Sequence, residues 1–353
     1  MIGSGAATRW LARILPLVIF LPLFAQKPER AVSLTQQGAQ YLEQNQLARA
    51  LDAFQQAARL QPLDPAIQLN IGLTFYRMGR YRQALEPLGK AISQHPSGRQ
   101  ARFLRGAIFF HLNKLEACLR EIGELRSDPE QGEQVLFMVI ESYRKLGKVH
   151  EAQAAFRELN ERFPDSAFLH RLMGIAYEAQ FQADKAIEEF KAALRVRPEM
   201  PEVAFAIGYI YWKQRDYGNA RIWLEKELAV QPCYARAHHC LAEIARADEK
   251  WDDAVTLYRT ALRCDPGLSD PYLGLGMVYE RQREWSKAIE MYREVTRRMP
   301  NDSQGHFKLG IALQRAGKTE EARVELAKAN DLLAAEQAKA RESMQTMNPP
   351  PRP

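Results

Sequence analysis

The sequence lacks the motifs that usually carry catalysis or hold a cofactor. It has no C-x-x-C pair, no H-E-x-x-H motif and no glycine-rich phosphate loop. Thioredoxin-like redox chemistry, zinc-protease chemistry and P-loop nucleotide binding are therefore excluded on motif grounds. We expect no enzyme activity, no cofactor and no metal site.

One group of zinc-ligand residue types remains, within residues 233–240. Cys233, His238, His239 and Cys240 are all of types that bind zinc. Neighbouring residues on a helix point about 100° apart, so His238 and His239 do not face one ion together. We interpret the group as ordinary helix residues.

Blocks of like charge are absent as well. The 49 basic and 43 acidic residues are interleaved, and the formal net charge is +6. Arg9 and Arg13 are the only charged residues before position 26, so without residues 1–25 the net charge would be +4. This pattern gives little support to nucleic acid binding.

Cysteine is scarce, with four in the chain. An oxidising compartment would permit disulfides, and the antiparallel helices described below could bring Cys240 near Cys264. The alternative, which we favour, is that the cysteines act as small buried apolar residues.

The N-terminal hydrophobic run is too short to span a bilayer. Ile14–Phe24 has 11 apolar residues, whereas a spanning helix needs roughly 20. The run follows Arg9 and Arg13 and ends at Ala25, an order typical of a secretory signal peptide. We predict a signal peptide at 1–25 and a linker at 26–30. Because Leu23 stands where a cleavage site favours a small residue, an uncleaved anchor at 11–24 is the alternative.

The dominant feature is a pattern of 34 residues that repeats nine times from Ala31 to Glu336. Its eighth position is mostly glycine and its twentieth mostly alanine, which lets two antiparallel helices approach closely. Bulky side chains at positions 11 and 24 fill the space beside this pair. Proline at position 32 ends the second helix. The repeats begin at Ala31, Pro65, Arg99, Glu133, Ala167, Pro201, Ala235, Ser269 and Ser303.

Short turns separate the two helices of each repeat. Gly79, Gly147 and Gly317 lie in three of these turns. Glycine is favoured where a helix ends in a residue with positive φ, and we predict that conformation at these positions.

This pattern resembles the tetratricopeptide repeat family, whose period is 34 residues. The resemblance covers residues 31–336 and implies an all-α fold, a right-handed α-solenoid of nine helix–turn–helix repeats with a concave and a convex face. Helix-forming residues continue through 337–347, so we predict that the last helix extends there and caps the solenoid. Residues 348–353 form a proline-rich tail that cannot be helical.

The third and fourth repeats depart from the pattern. Cys118 replaces the usual alanine, Glu130 replaces the proline and Ile140 replaces the glycine. The residues between these two repeats, 127–132, are rich in turn formers. We therefore question close stacking at this junction.

In the family, positions 2, 5, 9, 12 and 13 of the first helix line the concave face. Here those positions are unusually aromatic, with a basic edge, and exposed apolar patches mark interaction sites. The alternatives are ordinary repeat conservation or contact with the next repeat. The candidate partner-binding residues are Tyr76, Phe103, Phe110, Phe137, Lys145, Phe205, Tyr209, Trp212 and Phe307.

These features together predict an exported, non-enzymatic scaffold that binds protein segments on its concave face, in an envelope or secretion assembly. The expected location is periplasmic or secreted, and membrane contact is expected only through an uncleaved N-terminal segment. The alternatives are an accessory binding subunit of polysaccharide or peptidoglycan machinery and a membrane-anchored adaptor. The oligomeric state stays open.

Overall fold

The structure is a computed structural model that describes residues 29–95 and 98–347. Throughout these residues it contains eighteen α-helices, one short 3-10 helix and no strand. The chain divides into two compact units, of which unit 1 ends at Val203 and unit 2 begins at Ala204. The predicted all-α fold class is confirmed.

The helices come in pairs joined by short turns. Those of unit 1 are α1 (Glu29–Glu43), α2 (Leu47–Leu60), α3 (Pro65–Arg77), α4 (Tyr81–Gln94), α5 (Arg99–His111), α6 (Leu115–Ile122), α7 (Gly132–Lys145), α8 (Val149–Arg162), α9 (Ala167–Ala179) and α10 (Ala183–Val196). Next come α11 (Val203–Lys213), α12 (Tyr217–Val230), α13 (Ala235–Ala247), α14 (Trp251–Cys264), α15 (Asp270–Arg281), α16 (Trp285–Arg298), α17 (Ser303–Arg315) and α18 (Thr319–Met347).

The pairs follow the 34-residue period of the sequence. Each first helix begins within two residues of a predicted repeat start. Inside each unit, the second helix of a pair packs on the first helix of the next pair. This succession of stacked helix pairs is that of a repeat solenoid.

In the seven repeats that have glycine at position 8, close contact between the paired helices depends on that glycine. A Cβ atom added to Gly174 would lie 2.6 Å from a ring carbon of Phe190, and one added to Gly276 would lie 2.4 Å from Tyr292. These distances are well inside van der Waals contact. The bulky residue at position 24 therefore sits directly against the glycine, rather than only beside it as we expected.

The irregular junction between the third and fourth repeats is closely packed. After α6, a 3-10 helix at Gly123–Leu125 leads to Asp128, whose Oδ1 accepts hydrogen bonds from the N–H groups of Glu130 and Gln131 at 2.9 and 3.0 Å. Asp128 is buried, and one continuous hydrophobic core runs across this junction from Ala39 to Leu172. Our doubt about stacking here was wrong, because the core is continuous across the junction and the Asp128 side chain holds the turn.

Every turn between paired helices has a residue with positive φ at position 15. The prediction for the three glycines is confirmed, with φ of 71°, 71° and 78°. The other six turns place larger residues in this left-handed region, where most side chains other than asparagine have a steric cost that glycine avoids. They are Asn45, Asn113, Phe181, Arg215, Glu249 and Arg283.

A second repeated contact joins position 4 to the proline that ends the preceding repeat. Gln68 Nε2 donates to the Pro62 carbonyl at 2.7 Å, and His238 Nε2 donates to the Pro232 carbonyl at 2.9 Å. His306 Nε2 repeats the contact with the Pro300 carbonyl at 3.1 Å. These bonds pair backbone carbonyl groups in the turns between successive repeats.

One disulfide lies in unit 2, between Cys233 and Cys264, with a Cα–Cα distance of 5.2 Å. The suggested proximity of Cys240 and Cys264 did not lead to a bond, because Cys233 lies in the turn beside the end of α14. Cys118 and Cys240 are buried free thiols. The favoured alternative is therefore confirmed for these two cysteines and wrong for Cys233 and Cys264.

The first and last helices can be compared with the segments predicted near the two ends of the chain. Helix α1 starts at Glu29, inside the stretch 26–30 that we expect to be a linker. Helix α18 continues through 337–347 to Met347. The predicted signal peptide or anchor at 1–25 and the tail at 348–353 lie outside the described residues. Inside them, no helix is both long and apolar enough to cross a membrane.

Candidate functional site

The nine candidate residues all lie on first helices, but their side chains differ in exposure. Tyr76, Phe103 and Phe205 are 1%, 3% and 5% exposed. The remaining aromatic candidates in the first through sixth repeats are half-buried, whereas Lys145 and Phe307 are exposed. The half-buried residues are Phe110, Phe137, Tyr209 and Trp212.

The buried candidates correct the expectation of an open aromatic stripe. Phe103 belongs to the continuous core of unit 1. Tyr76 Oη lies 3.3 Å from His111 Nε2 on the next first helix, and burial raises the pKa of the tyrosine well above its usual value. Part of the stripe therefore contacts the neighbouring repeat, as one of the alternatives stated.

In unit 1, the accessible part of the stripe centres on Phe110 and Lys145. The Lys145 ammonium lies 4.8 Å from the centre of the Phe110 ring, a cation–π distance. The nearby His111 ring stacks on Tyr81 at 5.4 Å. Burial, together with the charge of Lys145, lowers the pKa of His111 to about 4, so this ring is uncharged at neutral pH.

Phe137 occupies a second position in unit 1, between two repeats. Its ring stacks on Phe168 at 4.8 Å, and the Arg171 guanidinium lies 5.4 Å from its centre. Arg171 also bonds Glu202 at 2.9 Å. The half-buried Phe137 therefore belongs to a closed inter-repeat cluster more than to an open surface.

In unit 2, three aromatic rings form a ladder along α11. Phe205 stacks on Tyr209 with centres 5.6 Å apart, and Tyr209 stacks on Trp212 with centres 5.5 Å apart. The planes are within 21° and 15° of parallel. Spacings of four and three residues place all three rings on one helix face. We call Phe205, Tyr209 and Trp212 the α11 ladder.

Two residues that the sequence analysis missed complete this surface. The Tyr234 ring meets Phe205 edge-on at 5.0 Å, and the Arg236 guanidinium lies 4.7 Å from the centre of the Phe205 ring. Both lie just after the disulfide residue Cys233, at the start of α13. Arg236 occupies position 2 of its repeat, one of the concave-face positions, so the repeat register could have predicted its place in this surface. Tyr234 lies before that repeat begins, and no feature of the sequence pattern pointed to it.

Phe307 is the most exposed aromatic candidate. It lies on α17 in unit 2, and 48% of its surface is accessible. It occupies the same repeat position as the buried Phe103 and Phe205. Repeat position alone therefore does not determine exposure.

Glu243, Arg246 and Tyr258 form an internal network in unit 2. Burial raises the pKa of Glu243, but hydrogen bonds from Arg246 and Tyr258 outweigh it and leave the pKa lowered. Burial also raises the pKa of the Tyr258 hydroxyl. At neutral pH both groups keep their ordinary charge states, so the pair is not poised for proton transfer.

The cysteines and histidines do not assemble into a metal site in the part of the chain that the structure describes. Cys233 is bonded to Cys264, and His238 donates to a backbone carbonyl. Burial raises the pKa of the free Cys118 and Cys240 thiols to about 12. They are therefore neutral and weak as nucleophiles.

Comparison with protein families identifies the repeat. One tetratricopeptide repeat model matches 69–117, 171–235 and 273–336, which together cover half of the chain. Related models match 38–79, 134–166 and 233–301. The chain belongs to the tetratricopeptide repeat family, whose fold typically serves as a protein-binding scaffold.

Individual relatives match over short stretches. Cellulose synthase operon protein C of Escherichia coli K12 is 37% identical over 84 residues, which are 24% of this chain and 7% of that protein. Anaphase-promoting complex subunit 6 of Arabidopsis thaliana is 34% identical over 77 residues, 22% of this chain and 14% of that protein. The chain thus spans a small part of either relative.

Among solved structures, the human IFIT1 dimer with m7Gppp-AAAA matches 82% of this chain and 68% of its own. The TM-score is 0.50 and the sequence identity 18%. This likeness concerns the fold alone.

Proposed function

We propose that the protein is an exported, non-enzymatic scaffold that binds protein segments on its first-helix surface. The observation that carries this proposal is the α11 ladder, where aromatic rings and a guanidinium are concentrated and partly accessible. Aromatic and arginine side chains dominate the binding energy of protein interfaces. The tetratricopeptide fold supports the same reading, because its members commonly present such surfaces to partners.

Export is supported by two independent features. The N-terminal sequence has the order of a signal peptide, and Cys233 and Cys264 form a disulfide. Disulfides persist in oxidising compartments and are rare in the cytosol. We infer a periplasmic or secreted location, in an envelope or secretion assembly.

The second candidate function is an accessory binding subunit of polysaccharide machinery. The 84-residue similarity to cellulose synthase operon protein C favours it. The ladder geometry argues for a protein ligand instead. Sugar rings stack on free aromatic faces, but the faces between Phe205, Tyr209 and Trp212 already cover one another.

Affinity capture from an envelope extract tests the binding function. The bait would be the full mature chain, with Trp212→Ala as the site variant and Phe181→Ala as the matched control. Phe181 is 96% exposed and lies in a turn away from the first-helix surface. We expect the same captured protein with wild type and Phe181→Ala, and its loss with Trp212→Ala. Equal capture by all three baits would contradict binding at the ladder.

Cell fractionation with N-terminal sequencing tests export. We expect the protein outside the cytoplasm with an N-terminus near Gln26. A soluble cytoplasmic form that keeps Met1 would contradict export, whereas a membrane-bound form that keeps residues 11–24 would support the anchored adaptor.

A further inference from the structure

Three arginines on the first-helix surface are neutralised inside the protein, at nitrogen–oxygen distances under 3 Å. The pairs are Arg144–Glu141 at 2.8 Å, Arg171–Glu202 at 2.9 Å and Arg246–Glu243 at 2.7 Å. Lys145 and Arg236 differ from these three arginines. They lie over aromatic rings, and in the described part of the chain neither has a carboxylate within 4.0 Å.

In unit 1, Lys145 carries the local charge alone. Its ammonium lies over Phe110, and the neighbouring Arg144 is held by Glu141. His111 adds no charge at neutral pH, because burial keeps its pKa low. The exposed ammonium is thus a positive point beside an aromatic ring, with no internal counter-ion.

In unit 2, Arg236 spans two rings of the α11 ladder. Its guanidinium lies 4.7 Å from the Phe205 centre and 5.7 Å from the Tyr209 centre. The ring faces are paired with each other, so the ring edges remain for a ligand. Aromatic edges carry partial positive charge, and they add to the field of the guanidinium. This surface therefore favours anionic groups, above all carboxylates, with which arginine forms two parallel hydrogen bonds.

We propose that Lys145 in unit 1 and Arg236 in unit 2 are each an anchor point for a carboxylate side chain of a segment bound on the surface of that unit. The occupant is then an acidic peptide with apolar residues for the adjacent rings. This inference rests on the proposed function and specifies the partner's chemistry. The basis of this inference is charge complementarity, because Lys145 and Arg236 lack the internal carboxylates that neutralise Arg144, Arg171 and Arg246.

Selection from a displayed library of random peptides on the mature chain provides the probes. We expect enrichment in Asp and Glu. Binding constants of the selected peptides are then measured for wild type, Lys145→Gln and Arg236→Gln. Loss of one charged contact should weaken binding about tenfold, and more salt should weaken wild-type binding. Arg195→Gln is the matched control, because Arg195 is exposed on the second helix α10; it should bind as wild type does.

Charge-preserving variants separate the role of charge from a loss of structure. Lys145→Arg and Arg236→Lys should retain most of the binding, and circular dichroism should be unchanged in all variants.

If selected peptides bind both glutamine variants as tightly as wild type while Trp212→Ala abolishes binding, the carboxylate anchors are refuted and the protein-binding function stands. Weakening by only one glutamine variant refutes the anchor at the other. If no peptide binds wild type, or if only a neutral oligosaccharide does, both proposals fail.

Discussion

At the scale of single residues, the turns are the sites of backbone strain. Phe181 has φ of 59° and a side chain that is 96% exposed. A side chain at such a φ costs roughly 1–2 kcal/mol, and this exposed ring gains little packing in return.

Phe181→Gly should therefore stabilise unit 1 by about 1 kcal/mol. Phe181→Ala keeps the Cβ atom and the strain, so it should leave the free energy of unfolding nearly unchanged. Chemical denaturation of the three proteins measures both effects. A glycine variant no more stable than the alanine variant would contradict the assignment of strain.

The glycines of the helix pairs should show the opposite behaviour. Gly174→Ala places a Cβ atom 2.6 Å from the Phe190 ring, and overpacking of this kind costs roughly 1–3 kcal/mol. Gly89 lies inside α4 with only Arg105 Nη1 near, at 3.8 Å from an added Cβ. Gly89→Ala should thus stabilise by up to about 1 kcal/mol. Thermal melts that ranked the two variants in the reverse order would contradict the packing described.

His111 gives a prediction for pH. Its pKa is about 4 in the folded protein, because of burial and then Lys145, against about 6.5 in an unfolded chain. Between these values the unfolded state binds more protons, so stability is complete above pH 6.5 and is lost as pH falls towards 4. Tyr76 also faces the ring, and burial raises its pKa well above the usual value, so it stays neutral in this range.

His111→Phe keeps an aromatic ring on Tyr81 and removes this proton linkage. Compared with this variant, wild type should lose an additional 1–3 kcal/mol, as an order of magnitude, between pH 6.5 and 4. Denaturant titrations at several pH values measure the difference. Parallel pH profiles for the two proteins would show that His111 is not held neutral.

At the scale of helices and turns, the disulfide links the residues before α13 to the end of α14. It closes a loop with a sequence separation of 31 residues, for which loop entropy predicts a stabilisation of roughly 3–4 kcal/mol. The segment it holds also carries Tyr234 and Arg236, which contact Phe205 of the α11 ladder. The disulfide thus contributes to the stability of unit 2 and holds the segment that contacts the candidate binding surface.

The double variant with Cys233→Ser and Cys264→Ser should have a lower melting temperature in unit 2. A thiol reductant should no longer change that melting temperature. Hydrogen exchange should increase around α13 and α14 first, because repeat units couple mainly to their neighbours. Cys118→Ser is the control that keeps sensitivity to reductant. A wild-type protein whose melt is unchanged by reductant would contradict the bond.

The helix pairs follow directly from the sequence, whereas the site follows only in part. Glycine at position 8 and a bulky residue at position 24 have steric consequences inside one repeat, so their spacing predicts the packing. The exposure of a position-5 phenylalanine depends on neighbours in space. Phe103 is buried and Phe307 exposed in the same register. Replacing Phe103 and Phe205 would thus test folding more than binding.

The disulfide partner escaped prediction for the same reason. Cys240 lies on α13, whereas Cys233 lies in the turn before that helix. The repeat pattern predicts which helices pair, but it does not predict how closely that turn approaches α14. The junction at Asp128 is similar, since its turn depends on a side chain bonding to two backbone N–H groups.

At the scale of the whole molecule, each unit is built from stacked helix pairs and carries its own accessible aromatic and cationic surface. Phe110 with Lys145 represents this surface in unit 1, and the α11 ladder with Arg236 represents it in unit 2. Repeat proteins gain stability from contacts between neighbouring repeats, so accessible binding residues on first helices can vary while the fold persists. Binding and stability thus depend on different residues, which suits a scaffold.

The most direct test of this account is site-specific photo-crosslinking in living cells, with a photoreactive phenylalanine at position 212 or 222. Trp212 belongs to the α11 ladder, whereas Ile222 is 52% exposed on the second helix α12. We predict a discrete protein adduct from position 212 and none from position 222. No adduct from position 212, or the same adduct from both positions, would contradict a protein-binding surface at the ladder.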